Sequence, residues 1–157
     1  MTLPWLAAAV LVTLLTACAT PPASPTPSAA GGGVEGLVSS LAAASAPVRQ
    51  ADAFDPTPLS GEGVLLCVGR EEVRVYVFPT EEARLASAAG IDPQDPSHIG
   101  TSIVEWTGNP RFWQRDRILV LYVGTDVPTE ALLTSVMGPP FARGASGGLG
   151  GPRASAC

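Results

Sequence analysis

The chain contains no lysine: all nine of its basic residues are arginine, set against fourteen acidic ones, for a net charge of −5. The missing lysines read as coding bias rather than as a site. With no basic run, binding through nucleic-acid phosphates or anionic lipid headgroups is excluded as a main function. There is a single histidine, His98, so any Ser-His-acid triad would have to run through it. Cysteines occur only at 18, 67 and 157, too few and too scattered for a zinc cage or a disulfide framework. No GxSxG elbow, P-loop or dinucleotide fingerprint is present. No apolar stretch is long enough to span a bilayer either. The longest runs from Leu3 to Leu15, whereas a crossing helix needs about 20 residues.

That run, LPWLAAAVLVTLL, suits the apolar region of a signal peptide, and it raises the mean hydropathy of the whole chain to +0.28. It is followed by Leu15-Thr16-Ala17-Cys18, which resembles the lipobox of bacterial lipoproteins. The resemblance implies cleavage between Ala17 and Cys18, with acyl chains such as palmitate on Cys18. It also implies a membrane partner held through that lipid rather than through a span. Met1-Thr2-Leu3-Pro4 departs from the pattern by lacking a basic residue. Ala19 after the acylated position favours the outer membrane if the host has two. The expected location is the extracytoplasmic face of a bacterial cell envelope.

Composition then divides the chain. Residues 1–17 are the signal peptide, and 18–33 a linker rich in Pro, Ala and Gly that cannot bury enough apolar surface to fold. Residues 34–141 form one α+β domain, and 142–157 a Gly/Ala/Ser tail expected to be disordered. Within the domain, Val34, Leu37, Val38 and Leu41 recur at helical spacing, and a short strand is expected over 48–54. VLLCV (64–68) and VRVYVF (73–78) read as a hairpin around the loop GREE (69–72). Thr80 with Glu81 and Glu82 caps a helix running to Ala89. A strand is expected over GTSIVEW (100–106), resuming as RFWQ (111–114). It turns at Arg115-Asp116 and returns as ILVLYV (118–123). A last helix starts at Asp126-Val127-Pro128-Thr129. The expectation is a small antiparallel sheet of two hairpins, each followed by a helix, with the helices packed on one face.

The segments GREEVRVYVFPT (69–80), IGTSIVEW (99–106), Phe112-Trp113, RILVLYVG (117–124) and ALLTSVMGPPFA (131–142) together resemble a family of small exported bacterial proteins, many of them lipoproteins. That family has no characterised function. The resemblance spans Gly69 to Phe141 and implies a fold group and an address, but no catalytic residue. Asp116, His98 and Cys67 depart from its usual pattern.

Few residues suggest chemistry. His98, with Asp92 and Asp95 nearby, matches no metal-site spacing and reads as a solvated loop histidine. The pairs Glu71-Glu72 and Glu81-Glu82 sit where a hairpin loop and a helix start favour acids. Glu105, beside Trp106 in an apolar strand, is the one carboxylate that burial would make interesting. Cys67 and Cys157 are a candidate disulfide, although Cys67 also serves as a small buried hydrophobe. Trp106, Phe112, Trp113 and Arg115 are the candidate recognition surface, on or beside the second hairpin, set against ordinary core packing of large rings. No cofactor, metal site or catalytic residue is expected. The reading is a non-catalytic binding or interaction module with an envelope protein as partner. A structural component of a larger envelope complex is the alternative, and a carboxylate-dependent envelope enzyme a third.

Overall fold

Ile118–Tyr122 is apolar without alternation, which a strand tolerates only when both of its faces are covered. A computed structural model describing residues 32–145 and 156–157 shows that arrangement: all five residues are buried. The segments expected to be a signal peptide and linker, with Cys18, lie outside the described residues up to residue 31, as do residues 146–155.

In chain order the elements are α1 (Val34–Ala43), β1 (Val48–Phe54), β2 (Glu62–Val68), β3 (Glu71–Val77) and α2 (Glu81–Ala88). They continue with β4 (His98–Ile99), β5 (Ser102–Ile103), β6 (Arg111–Arg115), β7 (Ile118–Tyr122), α3 (Val127–Met137) and β8 (Ala142–Arg143). Six strands form one sheet in the order β1-β2-β3-β7-β6-β8, every neighbouring pair antiparallel. The domain is α+β.

The helices are not on one face, as the sequence suggested. Val73 and Val75 of β3, with Ile118, Val120 and Tyr122 of β7, face a cluster closed by Val34, Leu37 and Leu41 of α1 and Leu133 of α3. Tyr76 of β3, with Leu119 and Leu121 of β7, faces the opposite cluster. There they meet Ala88 of α2, Ile91, Ile99 and Phe112. The two central strands are therefore the floor of two cores, and three layers result.

Local chemistry explains the element ends. The Thr80 hydroxyl accepts from the Ala83 amide at 3.2 Å, and Glu81 and Glu82 occupy the positive end of α2. The Asp126 carboxylate accepts from the Thr129 amide at 2.8 Å, and Pro128 fits the first turn of α3, where no amide donor is needed. The first hairpin turns more tightly than expected. Gly69, at φ +62°, and Arg70 make the turn, while Glu71 and Glu72 belong to β3, opposite Val68 and Cys67.

Three boundaries differ from the sequence reading. The strand expected over 100–106 is reduced to Ser102–Ile103, paired with His98–Ile99 in a separate two-stranded ribbon. Gly100 at φ +60° turns the chain back there, and Val104 bonds Ser97 instead of joining the main sheet. The place beside β6 is taken by β8, so Ala142 and Arg143 belong to the fold rather than to a disordered tail; Ala142 is 1% exposed. Ala156 and Cys157 at the chain end also lie on the domain, against β2 and β3.

Candidate functional site

Alternation along β6 decides where the expected recognition residues go. Phe112 points into the α2-side cluster and Trp113 into the α1/α3-side cluster, and both are fully buried. Phe112 meets Trp106 edge-on at 5.9 Å and Phe141 at 6.2 Å. Trp106 is half-buried and donates its indole N–H to the Pro96 carbonyl at 3.0 Å. Arg115, on the Trp113 side, donates to the Val136 carbonyl at the end of α3 at 2.9 Å. The four residues therefore do not form one surface. Two rings are core, one ring pins the 96–106 loop, and the guanidinium ties α3 to the sheet.

The remaining sequence candidates are also placed. Glu105 is exposed and lies outside any strand, so the buried carboxylate that would have made it interesting is not found. His98 Nδ1 lies 2.8 Å from Asp95 Oδ2, and the Ser97 hydroxyl donates to Asp95 Oδ1 at 2.5 Å. The Ser97 hydroxyl, first among several hydrogen bonds that include His98, holds the Asp95 carboxyl below the usual carboxylate range. A nucleophile would need its hydroxyl on the far ring nitrogen. Ser97 instead approaches Nδ1, at 3.4 Å, the side already taken by Asp95. Among the described residues no group of three His, Cys, Asp or Glu side chains could hold a metal ion. Cys67 and Cys157 are joined, with their Cα atoms 5.4 Å apart.

What the sequence did not single out is the end of the sheet where β7 runs into α3. The Tyr122 hydroxyl donates to Glu71 Oε2 at 2.7 Å and accepts from the Asp126 amide at 3.0 Å. Burial, reinforced by Glu71, pushes the Tyr122 phenol far up. Gly124 is required beside it, because a Cβ there would collide with the phenol. Nearby, Glu130 of α3 accepts from Arg111 Nε at 2.7 Å and from Arg143 Nη1 at 2.9 Å. Two cations thus share one carboxylate, with the Asp126 and Glu71 carboxylates at the same end of the sheet.

Glu130 also lies on the open outer side of α3, together with Val127, Ala131, Thr134 and Ser135. Val127 is 71% exposed, one of three large apolar side chains open to solvent among the described residues, with Leu85 and Ile103. This face of the helix is mostly apolar and has the Arg111–Glu130–Arg143 knot at its edge. This arrangement suits contact with another surface better than proton transfer, since Glu130 Oε1 already accepts from both guanidinium groups. A signal for it existed in the sequence: Val127, Ala131 and Thr134 make a second stripe at helical spacing. It was masked by the stronger stripe of Leu132, Leu133, Val136 and Met137, which faces the core. Comparisons of the chain with protein-family models, with curated proteins and with solved structures return no match.

Proposed function

We propose that the chain is a lipid-anchored, non-catalytic interaction module of a bacterial cell envelope, tethered through Cys18 and presenting the outer face of α3 to an envelope protein. The observation that carries the surface is the open stripe of Val127, Ala131, Thr134 and Ser135 beside the Arg111–Glu130–Arg143 knot. The anchor rests on Leu15-Thr16-Ala17-Cys18 after an apolar run. Membership of the exported family rests on the segments between Gly69 and Phe141. We read the scaffold as two repeated units, β2–β3–α2 and β6–β7–α3, each a hairpin followed by its helix; the element order supports that reading. A carboxylate-dependent enzyme built on Glu105 has less support, because that side chain is exposed.

The test is photo-crosslinking in intact cells from Ala131, with Glu82 on the opposite side of the sheet as control, and a mass measurement of the Cys18 peptide. A recurrent protein linked from 131 and not from 82 supports the module. Recurrent links to further copies of one large assembly favour the structural alternative. Identical captures from both positions refute the α3 surface, and a Cys18 peptide without acyl mass refutes the anchor.

A further inference from the structure

The last two residues are attached to the domain through one row of side chains. Arg49 of β1, Cys67 of β2 and Glu72 of β3 are direct cross-strand neighbours on the same face. Cys67 bonds Cys157, the Glu72 carboxylate accepts from the Ala156 amide at 2.6 Å, and Arg49 donates to the Ala156 carbonyl at 2.9 Å. Two charged side chains of opposite sign thus grip the main chain of Ala156, and the sulfur bond fixes the residue after it. Neither buried cluster includes Ala156 or Cys157, so both cores close without them. The two residues are also unequal. Cys67 is 1% exposed, while Cys157 is only half-buried.

We propose that the Cys67–Cys157 bond is a redox latch on the chain end, opened by a dithiol reductant without unfolding the sheet. One thiolate of the reductant attacks Sγ of Cys157, the more exposed residue of the pair, forming a new S–S bond to it and expelling Cys67 as a thiolate that takes up a proton. The second thiolate of the reductant then attacks the reductant's own bonded sulfur. A cyclic disulfide closes and Cys157 leaves as a thiolate that is protonated. Two electrons pass from the dithiol to the protein. Without the bond, Ala156 keeps one hydrogen bond on each side at an exposed site, and the end is held by non-covalent contacts alone. The chain end departs and uncovers Arg49, Cys67 and Glu72. The inference depends on the pairing of the two cysteines, not on the partner reading above.

The experiment uses the full mature chain in detergent micelles. Digestion without reductant reads the pairing, a short pulse of the monothiol glutathione traps the first exchange step, and amide exchange is compared before and after dithiothreitol. The expected results are a 67–157 linked peptide, glutathione on Cys157, and Ala156 amide exchange at least about tenfold faster after reduction, while β3 and β7 keep their protection. Free thiols at both positions before reduction, glutathione on Cys67, unchanged Ala156 exchange, or loss of protection throughout the sheet would each overturn the latch. A Cys157→Ser chain should show the fast Ala156 exchange with and without dithiothreitol.

Discussion

Truncating Trp113 to alanine separates a core ring from a recognition ring. The indole is fully buried between β6, α1 and α3, in the cluster that includes Leu37, Leu41 and Leu133. Removing a buried tryptophan costs about 3–5 kcal/mol, through lost transfer energy and the cavity left behind. A domain of this kind holds about 5–15 kcal/mol in total, so that loss is a large share. At roughly 4 °C or more per kcal/mol, the Tm of Trp113→Ala should fall by at least about 12 °C. Trp113→Phe supplies the contrast. It keeps most of the ring and removes an indole N–H that meets no acceptor among the described residues, so its cost should stay below about 2 kcal/mol. Urea denaturation followed by far-ultraviolet circular dichroism measures both. If Trp113→Ala lies within about 1 kcal/mol of the parent, the ring is not in the core and the reasoning for both faces of β6 fails.

Other outcomes follow from the same contacts. The two tyrosines of the chain are both held neutral, Tyr76 pushed up to about 12 by burial and Tyr122 higher still. Raised phenol values mean that their contribution to stability is complete below about pH 10 and is lost as the pH climbs towards the folded values. Absorbance near 295 nm should therefore show no phenolate in the folded protein at pH 10.5, and a step there would contradict the burial. Arg84, with its side chain 5% exposed, donates to the Asp116 carbonyl, Gln114 and Glu81. Arg84→Ala should cost about 2–4 kcal/mol in urea denaturation, because a buried stem and three hydrogen bonds of a charged donor are lost together. Glu81→Ala, with Glu81 59% exposed, should cost less than about 1 kcal/mol. Replacing both Cys67 and Cys157 by alanine releases a closure spanning 90 residues, worth about 4.6 kcal/mol in the chain-entropy account, and calorimetry should find the Tm lowered without loss of the folded circular dichroism spectrum.

The first hairpin was legible because Val73, Val75 and Val77 alternate with polar partners and Gly69 supplies a positive φ. Capping chemistry at Thr80 and Asp126 located two helix starts from single side chains. Which face each helix covers was harder to read. Ile118–Tyr122, apolar at every position, already implied a strand covered on both sides, but nothing local says which helix covers which side. Trp113 was misplaced for a related reason. Beside a turn it reads as peripheral, yet its position one residue after Phe112 commits it to the opposite core. The 98–106 segment is apolar enough for a strand, and only the backbone reversal at Gly100 diverts it into its own ribbon. The open stripe on α3 was faint because alanine and threonine carry little hydropathic signal.

The bond between Cys67 and Cys157 also has a mechanical consequence. It closes a covalent ring that contains β3 through β8 and leaves α1, β1 and most of β2 outside. The chain enters the domain at Gly32, against Asp116 in the β6–β7 turn. Suppose a pull is applied between that end and a grip on Val127 in α3. Force leaving the strands at Cys67 can cross the sulfur bond and return along the roughly 30 residues from Cys157 to Val127. It need not travel the roughly 60 residues of the other arm. With the bond closed, the stretched molecule is shorter by about 30 residues, on the order of 100 Å at full extension. Opening the bond adds that length only to the unfolded chain, so the two sulfurs limit how far the protein extends once its sheet has given way.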